Sequence, residues 1–196
     1  MKSRHKLRKA GILAKARILF SQQGYQTSSM KDLAKACSCK PSNIYNYFAS
    51  KETILYEILR EETEWLVSSI KDLEDDDTAS SVEQLRLLIN NHVKLTLGYR
   101  RASRLLFDEE LRSLLPAHRK EIIARRDDYD RILYKIINRG IKAGDFSKVD
   151  AKIISYCIPS MIVRSRVWFR PRGRLSAKEI ADVIFEFVLN GLKGEL

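Results

Sequence analysis

The chain has 196 residues, 44% of them apolar and 31% charged, and its formal net charge at pH 7 is +11. This length allows a small domain joined to a larger one, and no stretch approaches the ~20 continuous apolar residues of a membrane-spanning helix. The charge is uneven: residues 1–60 hold twelve Lys and Arg against three acidic residues, which leaves only +2 for the remainder. We therefore expect the N-terminal part to bind a polyanion, and nucleic acid before a membrane surface.

The first nine residues form a basic run that contains Lys2, Arg4, Lys6, Arg8 and Lys9. No apolar core of signal-peptide length follows this run, so the chain is expected to be cytoplasmic. We predict that the run is an arm in front of the first helix. It either lies along or in the minor groove of DNA or is disordered in the free protein.

Two helices are predicted next by their apolar spacing. The first carries one apolar face from Ile12 to Phe20 and ends at Gly24, a residue suited to the left-handed conformation that closes a helix. Thr27 is predicted to cap the second helix. The inward residues of that second helix are Met30, Leu33, Ala34 and Cys37.

A third helix is predicted after a tight turn at Ser38. Pro41 opens this helix, and its buried side needs only Ile44 and Phe48, which are four residues apart. The outward side chains are Ser, Asn and Tyr, of which Ser and Asn can bond base edges in a major groove while Tyr reaches phosphates. The arrangement is that of a helix-turn-helix.

The order of these residues resembles a known family. The stretch from Ile12 to Leu55 is similar to the DNA-binding domain of the TetR family of bacterial repressors, through Gly24-Tyr25, Thr27, Leu33-Ala34, Ile44-Tyr45-Asn46-Tyr47-Phe48 and Ser50-Lys51-Glu52. Two positions depart from the family pattern, since Ser38 stands where the turn usually has Gly and Lys40 where the third helix usually has a Ser or Thr cap. Lys40 offers a positive charge to the DNA backbone instead.

We expect DNA contacts in two groups. Thr27, Tyr45, Tyr47 and Lys51 are expected to meet phosphates, and Lys40, Ser42 and Asn43 near the start of the third helix are expected to read bases. With Ser28, the predicted DNA-binding set is Thr27, Ser28, Lys40, Ser42, Asn43, Tyr45, Tyr47 and Lys51. Residues 1–50 are predicted to be the DNA-binding domain and residues 51–196 the domain for effector binding and dimerisation.

The remaining chain is predicted to be helical throughout, so the fold class is all-α with about nine helices. Ser50 is expected to cap a long fourth helix that reaches Leu73, and Ser81 with Gln84 has the spacing of a capping box for the next. A short helix is expected around Leu105 and Phe107. Later helices are predicted from Pro116 to a stop near Gly144, from a cap at Asp150, and from a capping box at Ser176 and Glu179.

The last helix is predicted to use more apolar residues than one inner stripe needs. Its inner stripe is Ile180, Ile184, Phe187, Val188 and Leu192, and Val183 and Phe185 add to it. Excess apolar surface on terminal helices is what a dimer face requires. The alternative is that these helices simply cover a monomer core.

No constellation for catalysis is visible, and we predict neither an enzyme, a metal site nor a cofactor. His5, His92 and His118 are scattered, and the pair Cys37 and Cys39 has no second pair to complete a zinc site. The two cysteines are interpreted as small apolar residues that pack the turn, with a redox sensor as the alternative.

Residues 164–174 combine five arginines with two large aromatic residues. Such a segment can bind phosphates and stack a base, and it resembles the C-terminal part of TetR members that respond to acyl-CoA thioesters. The predicted effector residues are Arg164, Trp168, Phe169 and Arg170, and Pro159 is expected to bend the preceding helix. The alternative is a charged connector whose aromatic residues pack into the dimer face.

The family resemblance implies a homodimeric transcriptional regulator that binds a palindromic operator in double-stranded DNA. It implies a repressor that a small-molecule effector releases, and the effector expected here is an acyl-CoA, with no role for a membrane. The alternative is an architectural or protein-interacting DNA-binding factor that uses the same head without a small-molecule switch.

Overall fold

The computed structural model of the chain describes residues 2–76, 78–98 and 110–194. Within these ranges it contains eight α-helices and two short 3-10 helices, at Lys71–Glu74 and Glu110–Ser113, and no strand. The α-helices are α1 (Lys2–Gln23), α2 (Met30–Ala36), α3 (Pro41–Tyr45), α4 (Lys51–Ser68), α5 (Ser81–Leu97), α6 (Pro116–Ala143), α7 (Ala151–Trp168) and α8 (Ala177–Lys193). The all-α prediction is confirmed. The short helix expected at Leu105 and Phe107 lies outside the described residues.

Two compact units make up the described chain. The first unit contains residues 2–63 together with 110–123, and the second contains residues 64–98 together with 124–194, apart from residue 77. The predicted boundary after residue 50 thus differs from the division by compactness, which lies within α4 and adds a distant segment to the first unit. The assignment of DNA binding to residues 1–50, and of effector binding and dimerisation to residues 51–196, stays a prediction.

The first unit has its own apolar core. Helices α1 to α4 contribute Phe20, Leu33, Ile44 and Ile58, all without exposed surface, and Leu114 and Ile122 join them from the later segment. A largely buried ion pair adds to the core, since Arg17 on α1 donates to Glu61 at 2.6 Å and to Glu62 at 3.4 Å on α4. These contacts hold α1 against α4.

The basic run at the N-terminus is part of α1, which begins at Lys2. The prediction of an arm in front of the first helix, or of a disordered run, is therefore wrong, and contact of the run with the minor groove of DNA stays a prediction. Lys9 explains part of the difference, because its Nζ lies 2.8 Å from Glu57 Oε1 and 5.3 Å from the centre of the Phe48 ring. The His5 ring lies 4.6 Å from the Tyr47 ring, so the first turns of α1 pack on the unit that follows.

Two helix caps are shifted from their predicted positions. Ser29, and not Thr27, caps α2 and forms a capping box with Asp32, because Thr27 donates its hydroxyl to the carbonyls of Gln23 and Gly24 at the end of α1. Gly24 has a φ of +83°, as predicted for a residue that closes a helix.

The capping box of α5 is one residue earlier than predicted. It is formed by Ser80 and Glu83, while Ser81 is buried and Gln84 Nε2 donates to the carbonyl of Asp76 at 2.5 Å. Both pairs have the same spacing, so the spacing alone does not separate them. The predicted caps Ser50, Asp150 and Ser176 are confirmed.

Helices α3 and α4 are both shorter than predicted. Helix α3 ends at Tyr45, yet the N–H of Phe48 still bonds the carbonyl of Ile44 at 3.0 Å, which keeps Phe48 in the core. Helix α4 ends at Ser68, and the 3-10 helix that follows carries Leu73 into the core of the second unit.

The second unit packs α5 against α7 and α8 around a core that includes residues of α6. The predicted apolar face of α5 is buried, and Gly144 follows α6 with a φ of +83°. On α8, Phe185 is fully buried, whereas Phe187 is 55% exposed. The prediction that Phe187 belongs to the inner stripe is therefore wrong. Among the described helices, none combines the length and the apolar character needed to cross a membrane.

Candidate nucleic-acid interface

Helix α3 presents a polar outer face. Lys40 precedes it in extended backbone with φ −77° and ψ 147°, makes no side-chain cap bond, and is followed by Pro41 in the first turn. Ile44 and Phe48 face inward, whereas Lys40, Ser42, Asn43 and Tyr45 are exposed, Tyr45 by 53%. These side chains are thus free to meet a ligand at the start of the helix, and their contact with base edges and phosphates stays a prediction.

The turn between α2 and α3 is held in a strained conformation. Ser38 has a φ of +51° and is the non-glycine residue with positive φ among those the structure describes. Its N–H donates to the carbonyl of Lys35 at 3.0 Å, and the N–H of Cys39 donates to that of Ala34 at 3.0 Å. The family's usual Gly at this position is explained, since Gly adopts this φ without the clash that Ser meets.

Cys37 and Cys39 flank Ser38 and are half-buried against the core of the first unit. Burial, with a further contribution from Cys39, raises the pKa of the Cys37 thiol. A raised pKa leaves less of the reactive thiolate at neutral pH. This favours the packing interpretation of the pair over a redox sensor.

Lys51 ties the turn between α1 and α2 to the start of α4. Its Nζ donates to the carbonyls of Tyr25 at 2.8 Å and Ser28 at 2.7 Å, and it lies 4.3 Å from the centre of the Tyr25 ring. Burial lowers the pKa of this ammonium group. The contact with phosphate predicted for Lys51 stays a prediction, and in this structure its donors are engaged by the protein itself.

Ser28 and Thr27 differ in their exposure. The Ser28 side chain is buried, and its hydroxyl donates to the carbonyl of Gly24 at 2.6 Å, whereas Thr27 is exposed. Tyr25 beneath them is 5% exposed, and burial, assisted by the charge of Glu52, raises its pKa to about 12. The DNA contact predicted for Ser28 stays a prediction, while the hydroxyl itself serves the turn.

A polar cleft of about 520 Å³ lies beside Lys51 and is lined by Tyr25, Gln26, Lys51, Arg112 and Ser113. Gln26 Nε2 donates to Ser113 Oγ at 2.6 Å across 87 residues of sequence. Two cationic side chains, Lys51 and Arg112, face this cleft. No local pattern in the sequence predicts that Arg112 lies near Lys51, because this proximity depends entirely on tertiary contacts.

The contact of the His5 ring with the tilted ring of Tyr47 is a second feature that the sequence did not indicate. It brings the first turns of α1 to a predicted phosphate contact, and Arg4, Lys6 and Arg8 in those turns are exposed. The charge run itself is the signal that could have located this surface. What the sequence did not indicate is that the run is helical.

The predicted effector residues do not converge on one face. Arg164 and Trp168, four residues apart on α7, are exposed, whereas Phe169 is 5% exposed and belongs to the core. Arg170 is exposed and its Nη1 donates to the carbonyl of Phe169 at 3.2 Å. Pro159 lies inside α7, as predicted. The role of these residues in binding an effector stays a prediction.

Within the described ranges, no group of three or more His, Cys, Asp and Glu side chains is arranged to hold a metal ion. The three cysteines there are free thiols.

Two family models match the chain. The first, described as bacterial regulatory proteins of the tetR family, covers residues 12–58, and the second, described as a tetracyclin repressor-like C-terminal domain, covers residues 78–192. The first match includes the helix-turn-helix and the second most of the rest of the chain.

Several characterised proteins are similar along nearly their whole length. The TetR family transcriptional regulator PfmR from Thermus thermophilus is 32% identical, with a TM-score of 0.84 over 92% of this chain and 98% of its own. The HTH-type transcriptional repressor KstR2 of Mycobacterium tuberculosis is 26% identical over 190 residues, which are 96% of this chain and 94% of that protein. AibR, solved in complex with isovaleryl coenzyme A and operator DNA, is 26% identical with a TM-score of 0.82, over 95% of this chain and 98% of its own.

Proposed function

Because the chain belongs to the TetR family of bacterial transcriptional regulators, we propose that it is a homodimeric repressor that binds a palindromic operator and is released by an acyl-CoA. It is a regulator and not an enzyme, as its relatives are. The observation that carries the proposal is the outer face of α3, where Lys40, Ser42 and Asn43 are exposed above a buried Ile44.

The chemistry of the exposed side chains indicates which of them contact phosphates and which contact bases. Tyr45, Tyr47 and the exposed cations of α1 bind phosphates and set the position of the protein on the duplex. Asn43 and Ser42 read base edges, since an amide or hydroxyl matches the donors and acceptors of the major groove. Two copies of α3, one from each subunit, read half-sites one helical turn apart.

Support for an acyl-CoA effector comes from the likeness to AibR, whose structure contains isovaleryl coenzyme A together with operator DNA. The matched C-terminal region, residues 78–192, is the part of this chain that is proposed to hold the effector. Effector binding shifts the two heads to a spacing that no longer fits successive major grooves. A 100-fold loss of operator affinity requires a coupling free energy of only about 2.7 kcal/mol.

Dimerisation is supported by apolar side chains that α8 leaves uncovered, Val183 at 58% and Phe187 at 55% exposure. A repressor of this kind works in the cytoplasm, where its operator is.

A gel-shift experiment on the DNA that flanks the protein's own gene tests the proposal. We expect one sharp shift that is lost when an acyl-CoA from a chain-length panel is added, and retained with coenzyme A alone or with the free acid. A shift that no acyl-CoA affects would contradict the effector class. An equal shift on unrelated DNA would contradict specific binding to an operator and favour the alternative of an architectural DNA-binding factor.

The variant Asn43→Ala tests the proposal that Asn43 contacts a base edge in the major groove. Loss of a bidentate contact is expected to cost about 1 to 3 kcal/mol on the operator and to relax base preference at one position of each half-site. Selection of binding sites from random DNA with both proteins measures this. The matched control is Asn46→Ala, an exposed Asn that follows α3. The same consensus from wild type and Asn43→Ala would remove Asn43 from the readout.

A further inference from the structure

A polar pair is buried in the core of the second unit. His92 on α5 is 4% exposed, and its Nδ1 lies 2.8 Å from the hydroxyl of Tyr129 on α6, which is 3% exposed. The two rings meet edge to face, with centroids 5.1 Å apart. Burial, together with the charge of Arg166, lowers the pKa of His92 to about 3, so the imidazole is neutral at physiological pH.

Thr96 lies one helical turn after His92, on the same face of α5. It is 3% exposed, and its Oγ1 has no hydrogen-bond partner among the residues that the structure describes. Other buried hydroxyls on helices avoid this state by donating to their own helix: Thr63 bonds the carbonyl of Leu59 at 2.8 Å, and Ser165 that of Ile162 at 2.6 Å. Thr96 does not, although the same backbone carbonyl is available to any helical Thr.

An unpaired buried hydroxyl destabilises the folded chain, and native cores hold few of them. The cost is understandable if another molecule supplies the missing partner. The neutral imidazole of His92 can also form a hydrogen bond with a ligand, because one of its ring nitrogens bonds Tyr129 and the other remains available. Tyr129 thereby fixes the orientation of the ring.

The charge near these groups selects the kind of ligand atom. Arg166 acts on His92 electrostatically, so the field there favours an atom with partial negative charge. The Thr96 hydroxyl and the neutral imidazole are uncharged hydrogen-bonding groups, which suit an uncharged oxygen acceptor. An uncharged oxygen acceptor fits this environment.

We infer that His92 and Thr96, with Tyr129 as the residue that orients the imidazole, bind the carbonyl oxygen of the effector. The inference rests on the proposed function, under which this oxygen is the thioester carbonyl of the acyl-CoA. The acyl chain then lies among the apolar side chains of the same unit, which surround these polar groups.

Thioethers of coenzyme A provide the test, because S-alkyl-CoA keeps the nucleotide and the chain but lacks the carbonyl oxygen. Isothermal titration of the full chain would use two pairs, isovaleryl-CoA with S-isopentyl-CoA and decanoyl-CoA with S-decyl-CoA. We expect wild type to bind the thioester of the preferred pair at least tenfold more tightly than the thioether. In Thr96→Val and His92→Phe the ratio of thioester affinity to thioether affinity is expected to fall towards one. In Thr96→Ser, which keeps the hydroxyl, this ratio should be close to that of wild type.

Thr63→Val is the matched control, since it removes a buried helical hydroxyl that is already paired, and its ratio should equal that of wild type. Circular dichroism confirms that each variant is folded, and Thr96→Val alone decides the test if His92→Phe does not fold. Equal affinity for thioester and thioether in wild type, or an unchanged ratio in Thr96→Val, overturns the inference while the proposed effector class stands. No binding of any of the four compounds overturns both.

Discussion

At the scale of one residue, Ser38 adopts a strained backbone conformation in the turn of the helix-turn-helix. Its φ of +51° lies in the left-handed region, where an L side chain crowds the following carbonyl oxygen at a cost of roughly 1 to 2 kcal/mol. The two backbone bonds on either side of it close the turn and require this conformation. The strain is therefore imposed by the motif and not by the Ser side chain.

Ser38→Gly is expected to stabilise the protein by about 0.5 to 1 kcal/mol, because relief of the strain exceeds the added flexibility of the unfolded chain. Urea unfolding monitored by circular dichroism measures the difference. Ser38→Ala keeps the Cβ and serves as the control, with no expected gain. A Gly variant less stable than wild type would show that the Ser38 hydroxyl contributes more than its backbone costs.

Lys51→Met separates two roles for one side chain. Loss of the bonds from Nζ to the carbonyls of Tyr25 and Ser28 is expected to destabilise the fold by roughly 1.5 to 3 kcal/mol, since donors that carry charge make the stronger bonds. Urea unfolding checks this, with the exposed Lys31→Met as control. Unchanged stability, combined with a salt slope of DNA binding reduced by about one, would make Lys51 a phosphate contact instead.

At the scale of elements, apolar periodicity in the sequence predicted the helices well and their ends less well. The apolar residues of α5 from Leu85 to Leu97 and the stop at Gly144 are where the pattern places them. The caps of α2 and α5 were displaced, because neighbouring Ser and Thr residues offer equivalent hydroxyls and only the path of the preceding turn decides between them.

Ser80→Ala tests the corrected start of α5. Removal of the hydroxyl that accepts from the N–H of Glu83 at 3.2 Å is expected to cost about 1 kcal/mol of stability. The control is Ser81→Ala, one residue on, where no cap is lost. Thermal unfolding of both variants compares them. A larger loss in Ser81→Ala would restore the original prediction for this helix.

The buried contact between His92 on α5 and Tyr129 on α6 predicts that the stability of the chain depends on pH. His92 has a pKa of about 3 in the folded chain against 6.5 when exposed, so the unfolded chain binds a proton that the folded one does not. Stability is therefore complete above pH 6.5 and falls as pH decreases towards 3, by at most about 1.4 kcal/mol per pH unit.

Urea unfolding of wild type and His92→Gln between about pH 7 and about pH 4 isolates this effect. The variant keeps a hydrogen-bonding group for Tyr129 but does not titrate, so its stability should fall less steeply over this range. Subtracting the two curves removes the contribution of carboxylates common to both. Parallel curves would show that His92 binds protons equally in the folded and the unfolded chain, which contradicts the lowered pKa.

At the scale of the whole chain, the packing of segment 110–123 into the first unit is a feature that no sequence pattern predicted. Glu52 Oε1 accepts from the N–H of Leu115 at 3.0 Å and lies 2.8 Å from His118 Nδ1, and the Tyr56 ring stacks on that of His118 at 3.8 Å. Each pair joins residues more than sixty positions apart, and periodicity reports only local neighbours. The uneven charge, in contrast, depends on composition alone, and it is sufficient to predict a polyanionic partner for residues 1–60.

The exposed apolar face of α8 bears on how two copies of the chain act together. Val183 and Phe187, four residues apart, remain 58% and 55% exposed, while Ile180, Ile184 and Val188 on the adjacent face are buried. Capping at both ends of α8 leaves the helix well defined, with Ser176 and Glu179 at its start and Gly194 at its end. A rigid helix with uncovered apolar side chains is suited to pack against its own copy.

The double variant Val183→Glu with Phe187→Glu is expected to be a folded monomer in analytical ultracentrifugation, because four buried like charges in a two-fold interface oppose association. Its affinity for the operator should fall by roughly 10² to 10⁴, the usual range when two linked sites act singly, since each head must then bind its half-site alone. Leu87→Glu, on an exposed apolar position of α5, is the control and should remain a dimer with normal affinity. If the double variant sediments as a dimer, the subunits meet through another surface and the apolar face of α8 has a different partner.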